Sequence, residues 1–207
     1  MSASRGRTFG RLLLLVAIGV LALTWLVLRV RAPDPDRIMR DRLEADARDP
    51  FKRWVQSVFL IVTGNCDYGH LPRGDALRIL MRWWEVHGPV EHARTLDSLA
   101  RSGRPDNAWD LVRFVIVARL GVAAGWIEDA RSWIEIKPIA QRLQRAYPDW
   151  SAMAQGYLLA RRQSRGLAPD GTEDDEAMAA IRDNIAHLHD GRWRELAYRS
   201  ELGVLDG

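Results

Sequence analysis

The stretch from Ala108 to Trp126, AWDLVRFVIVARLGVAAGW, constrains the chain more than any other. At about 100° per residue, Trp109, Val112, Ile116 and Leu120 fall on one helical face, while Leu111, Phe114, Ala118 and Val122 fall on the other. A helix that is apolar all round has to be enclosed, either by lipid or by the other helices of a core. Asp110, Arg113 and Arg119 stand inside this one, and at the centre of a membrane each would cost about 2.5–3.5 kcal/mol on insertion scales. The stretch is therefore expected at the centre of a globular helical domain, with Asp106 as its N-cap and Gly125 as its end. Its charges then need partners. Asp110 and Arg113, at i and i+3, can pair directly. If that pair is buried, alanine at either position is expected to cost about 3–5 kcal/mol. Arg119 points elsewhere, and Glu128 and Asp129, just beyond the helix, are its candidate acids.

Helical periodicity recurs on both sides of this centre. Phe51, Trp54, Val55, Val58, Phe59 and Val62 keep helical spacing up to Gly64. NCDYGHLPRG reads as a loop from its Gly, Pro and Asn content, and Asp75 is expected to open a helix that ends at Gly88-Pro89. Further helices are expected at about 90–102, from Glu128 to Tyr147, and from Trp150 to Arg162 with Asp149 as a cap. After the loop SRGLAPDGTEDD, in which Thr172 and Asp175 resemble a capping box, a helix carries Met178, Ile181, Ile185 and Leu188. A short last helix falls in RWRELAYRSEL. No strand-like alternation persists, so the fold class is all-α: a single compact helical domain of about six to eight helices over residues 51–207.

Residues 1–11 form a short basic tail. From 12 to 28 runs LLLLVAIGVLALTWLVL, uncharged and bounded by Arg11 and Arg29; with Val30 it approaches the roughly 20 residues that span hydrocarbon. A single transmembrane helix is expected at 12–30, followed by a charged linker helix at 31–50. A cleaved signal peptide would need a small-x-small site, where LVLRVRAP stands instead. The expected location is a bacterial inner membrane, single-pass. Five arginines after the span, against three before it, favour a cytoplasmic domain, whereas the short arginine-containing tail favours the opposite side.

The balance of 30 basic against 27 acidic residues leaves a net charge of only +3, and no basic stripe with interleaved aromatics appears, so no nucleic-acid partner is expected. Cys66 is the only cysteine, which excludes an intramolecular disulfide and a thiolate metal cluster. There is no P-loop and no dinucleotide glycine motif, and no cofactor is implied. Glu85, His87, Glu91 and His92 form one histidine-containing group; His187, His189 and Asp190 form another. Neither has the i, i+4 histidine spacing that sets two ligands on one helical face, so capping or surface roles are expected and no metal site is assigned. Cys66 and His70 share a loop, which is weak support for nucleophilic chemistry. Among nine tryptophans, Trp54, Trp84, Trp109, Trp133 and Trp150 fall on apolar faces and read as core. Trp83 and Trp126 are the candidates for exposed anchors at a partner surface.

The series AW-D-LVR, G-x-x-A-G-W-I, Trp133, D-W and Y-L-L-A-R, together with ALRILMRWWEVHGPVEHARTLDSLARSG before it and GRWRELAY after it, resembles the bacterial domain of unknown function 1266 family over about residues 54–200. Ala160-Arg161 stands where a Gly-Arg step is expected from that family, and the family carries no general membrane anchor. The resemblance implies a helical fold; it implies no activity and no catalytic residues. Glu85, Asp110, Arg113, Arg119 and Trp126 are therefore candidate binding residues on their own chemistry. The leading expectation is a membrane-anchored, protein-binding regulatory or immunity-like module. The alternative is a hydrolase-like enzyme, with or without a metal, whose pocket uses Asp110, Arg113, Glu85 and the histidines. A scaffold that only oligomerises the anchor is a third.

Overall fold

The computed structural model describes residues 35–101, 107–167, 176–200 and 202. The expected tail, transmembrane helix, Asp106 cap and Thr172–Asp175 capping box all lie outside the described residues. Among the described residues no helix is long and apolar enough to cross a membrane. The chain divides into two compact units, Met1–Ile38 and Met39–Gly207. The only described part of the first is the opening of α1 (Pro35–Asp46), the helix found within the expected linker.

Every regular element among the described residues is helical. Eight helices follow α1: α2 (Pro50–Thr63), α3 (Arg73–Trp84), α4 (Pro89–Arg101), α5 (Ala108–Ala123), α6 (Asp129–Ala146), α7 (Trp150–Arg165), α8 (Glu176–Asp190) and α9 (Arg192–Glu195), with a 3-10 turn at Tyr68–His70. Their ends follow from identifiable caps. Asp49 accepts the Lys52 amide at 3.0 Å and Pro50 occupies the first position of α2, which stops at Gly64 with φ 71°. Asp149 accepts the Ala152 amide at 2.8 Å to start α7, which stops at the left-handed Gly166. Several expected boundaries shift, and α3 ends at Trp84 rather than at Gly88-Pro89. The N-cap of α5 is Asn107, whose side-chain oxygen accepts the Asp110 amide. α3 begins at Arg73, two residues before the expected Asp75, because Pro72 can hold the cap position with no amide of its own to satisfy.

α5 lies against α2, α3, α4, α6, α7 and the 3-10 turn, and most of its side chains are buried irrespective of face. Its all-round apolar pattern is the consequence of this encirclement. Gly121 makes one of these approaches possible. A Cβ there would sit 2.2 Å from His92 Nε2, and the His92 ring hydrogen-bonds the Val117 carbonyl at 3.0 Å. Burial holds His92 below the ordinary histidine range, only partly offset by that bond.

A second organising feature is aromatic. Trp150 stacks on Trp193 with centroids 5.2 Å apart and meets Tyr198 edge-on at 4.8 Å, while Trp54 lies 5.2 Å from Trp150. Each indole finds a carbonyl: Trp54 donates to Tyr198, Trp150 to Leu196 and Trp193 to Ser57. The last segment is thereby clasped onto α2 and α7.

Candidate functional site

The first two turns of α5, the end of α3 and one side of α4 build an open cleft of about 520 Å³. Asn107 donates to Asp110 Oδ2 at 2.8 Å, and Asp110 Oδ1 accepts from Arg113 Nη1 at 3.1 Å. The Arg113 guanidinium lies over Trp84 at 4.7 Å and over Trp109 at 5.1 Å, so these indoles are half-buried walls rather than full core. α3 ends at Glu85, whose φ of 55° and ψ of 32° are left-handed, with Val86 N–H returning to the Leu80 carbonyl at 3.1 Å. Among the described residues Glu85 is the only non-glycine with positive φ. The conformation costs about 1–2 kcal/mol. It lets Val86 turn into the core while Glu85 remains on the cleft. Trp83, 69 % exposed, and the basic side chains of Arg82 and Arg94 complete the rim.

Of the residues nominated from sequence, the structure thus brings Glu85, Asp110 and Arg113 together. It does not bring Trp126 or Arg119 to them. Trp126 is half-buried in a different groove, its ring 5.8 Å from that of His92. The nominated histidines also lie outside the cleft lining. The exposed His87 has its amide bound by Glu91 at 2.6 Å, His187 contacts its own helix at Asp183, and His189 meets Trp193 edge-on.

The Asp110–Arg113 pair forms as the spacing predicts, but it is not fully buried: the side chains are 16 % and 33 % exposed. Solvent screening makes the buried-pair penalty too large for it. Asp110→Ala is expected to cost about 1 kcal/mol, made up of one partly solvated ion pair and one favourable carboxylate at a helix N-terminus. Chemical denaturation checks this, and a loss above about 3 kcal/mol would show that the pair behaves as buried.

Arg119 is the buried cation. Its Nε bonds both oxygens of Asp67 at 3.0 Å, Nη2 sits 2.9 Å from Asp67 Oδ2, and Nη1 reaches Asp129 at 2.6 Å and Ser132 Oγ at 2.8 Å. The guanidinium also covers Trp133 at 4.1 Å. Of the two expected acids Asp129 serves and Glu128 does not, standing instead at the N-cap position of α6. Sequence reasoning missed Asp67, a fully buried carboxylate that also caps the 3-10 turn by accepting the Gly69 amide. Burial would lower the Arg119 pKa, but the two carboxylates outweigh it and raise it above the ordinary arginine value.

Beside this knot, donor atoms of Asp46, Asp67 and His70 lie within 4.8 Å of one another. That spacing resembles a cation site, but Lys52 and Arg119 already hold its carboxylates. Lys52 Nζ is 3.0 Å from Asp46 Oδ1, His70 Nε2 is 3.0 Å from Asp46 Oδ2, and Arg119 takes Asp67. Burial would raise the Asp46 pKa; the hydrogen bonds from His70 and Lys52 prevail and hold it at about 2. The cluster joins the α1 end and the 3-10 turn to the centre of the domain.

No curated protein and no solved structure matches the chain. The helices before α5, which also contribute to the resemblance seen in the sequence, lie outside the one stretch that does match. Residues 105–198, covering α5 to the aromatic clasp, match the model of the family described as Protein of unknown function (DUF1266), and over that stretch the chain is similar to this family.

Proposed function

We propose that the helical domain is a recognition module, held at a bacterial inner membrane by a single-pass helix at residues 12–30, that binds a protein partner through the Arg113 cleft. The observation that carries this reading is Trp83, a large indole 69 % exposed on the rim of a cleft that also contains Arg82, Arg94 and Arg113. Exposed tryptophan beside arginine is the composition of interface hot spots, and such a surface suits a segment offering an apolar side chain next to a carboxylate. The uncharged 12–28 run supports the anchor.

The test is crosslinking in native membranes followed by purification through a tag after Gly207, with residues 1–50 alone as control and Trp83→Ala in the full chain as the second arm. A partner recovered with the full chain, absent from the control and reduced at least about tenfold by Trp83→Ala, supports the reading, and its compartment fixes the side of the domain. Equal recovery with Trp83→Ala, or nothing above the anchor control, overturns it.

A further inference from the structure

A second groove, of about 620 Å³, runs between α4 and α6 and falls within the size range of small-molecule sites. Leu96 and Ile139 line it from the two helices, and Phe114 of α5 and Trp126 of the loop after it complete an apolar wall. Among the described residues it shares no lining residue with the Arg113 cleft. Its charged residues are already engaged. Arg131 Nε donates to Glu135 Oε1 at 2.8 Å, Arg142 donates to the Ala100 carbonyl, and Asp97 pairs with Arg101 at 3.7 Å. With two acids and two bases in its lining, each bonded within the protein, the groove offers no net charge to a ligand.

One acceptor in the lining is not engaged. His92 is 3 % exposed, and its Nε2 lies 3.0 Å from the Val117 carbonyl. A carbonyl only accepts, so Nε2 carries the proton and Nδ1 of the neutral ring is left with a lone pair. Burial, which holds the His92 pKa below the ordinary histidine range, favours that neutral form. Among the described residues Nδ1 has no hydrogen-bond partner, yet it is not sealed in as the partnerless atoms of Thr63, His70 and Tyr157 are. His92 forms part of the groove wall, its ring edge-on to that of Trp126 at 5.8 Å. An acceptor in an apolar, charge-balanced groove selects a neutral ligand that brings a donor. A ligand without one strips water from Nδ1 and returns nothing. The ring of Trp126 suits a flat aromatic body, with the donor on its rim.

We propose that this groove binds a small, uncharged aromatic molecule whose rim N–H or O–H donates to His92 Nδ1, while Trp126, Phe114, Leu96 and Ile139 enclose its ring. The inference is independent of the protein-binding reading, because it uses none of the cleft residues and is measured on the purified chain alone.

The test uses the full chain in lipid nanodiscs, isotopically labelled at the imidazole nitrogens of its five histidines. Nitrogen resonances, assigned individually, are followed as indole or 2-naphthol is added, with empty nanodiscs correcting for partition into lipid. 1-Methylindole and 2-methoxynaphthalene keep the two ring systems and lose the donor. Saturable binding of indole or 2-naphthol at one site per chain, a shift of His92 Nδ1 toward a hydrogen-bonded nitrogen, and affinity about tenfold or more above the methylated counterpart support the proposal. No saturable binding of either donor, a His92 Nδ1 resonance unmoved at saturation, or equal affinity of the methylated compounds overturns it. These readouts need no substitution, so unfolding cannot imitate either result.

Discussion

Asp67→Ala is expected to lower the unfolding free energy by about 3–5 kcal/mol, the largest effect of any single polar substitution in the domain. Asp67 and Arg119 are 0 % and 1 % exposed, so removing the carboxylate leaves a guanidinium away from water with Asp129 as its remaining charge partner. Asp129 is half-exposed and compensates weakly. The loss arises from an orphaned charge rather than from lost volume, so Asp67→Ala combined with Arg119→Met is expected to recover most of it. Urea denaturation of the four chains in this cycle gives the answer. A loss under about 1 kcal/mol for Asp67→Ala, or a double substitution no better than the single one, would mean that water reaches the guanidinium.

Trp150→Ala is expected to cost a similar amount, about 3–5 kcal/mol, for a different reason. It removes the ring that touches Trp54, Trp193 and Tyr198 at once and strips a donor from the Leu196 carbonyl. Trp150→Phe keeps much of the volume and is expected to lose less. Thermal unfolding together with the near-ultraviolet circular dichroism of the aromatic cluster tests this. Retention of both signals in Trp150→Ala would show that the cluster is not a unit. Domains of this size hold only about 5–15 kcal/mol in total, so either substitution removes a large fraction of the stability.

Local order in this chain is written locally. Asp49, Gly64, Asp149 and Gly166 stop and start helices through bonds to residues at most a few positions away, so periodicity and caps are enough to find them. The correction at α5 is of the same kind: Asn107 and the neighbouring Asp106 are both good caps, and sequence does not choose between them. Asp110 and Arg113 were legible because charge is uncommon inside an apolar helix and the two stand three positions apart on one; Glu85, which is exposed, was singled out only with the histidine-containing group around it. Asp67 was not legible. It sits in a stretch whose Gly, Pro and Asn content says only loop, and its partner is 52 positions away.

The aromatic clasp ties the order of synthesis to the completion of the domain. Trp54 donates to the carbonyl of a residue 144 positions later, and Trp193 reaches back 136 positions to Ser57. A ribosome that has made α2 through α7 has produced a chain with its Trp54 and Trp150 rings still uncovered, and these contacts of high sequence separation can form only after residue 198 has cleared the exit tunnel. The clasp therefore waits for residues 193–198 to emerge, and a nascent chain halted before Trp193 leaves the faces of Trp54 and Trp150 that meet Trp193 and Tyr198 uncovered.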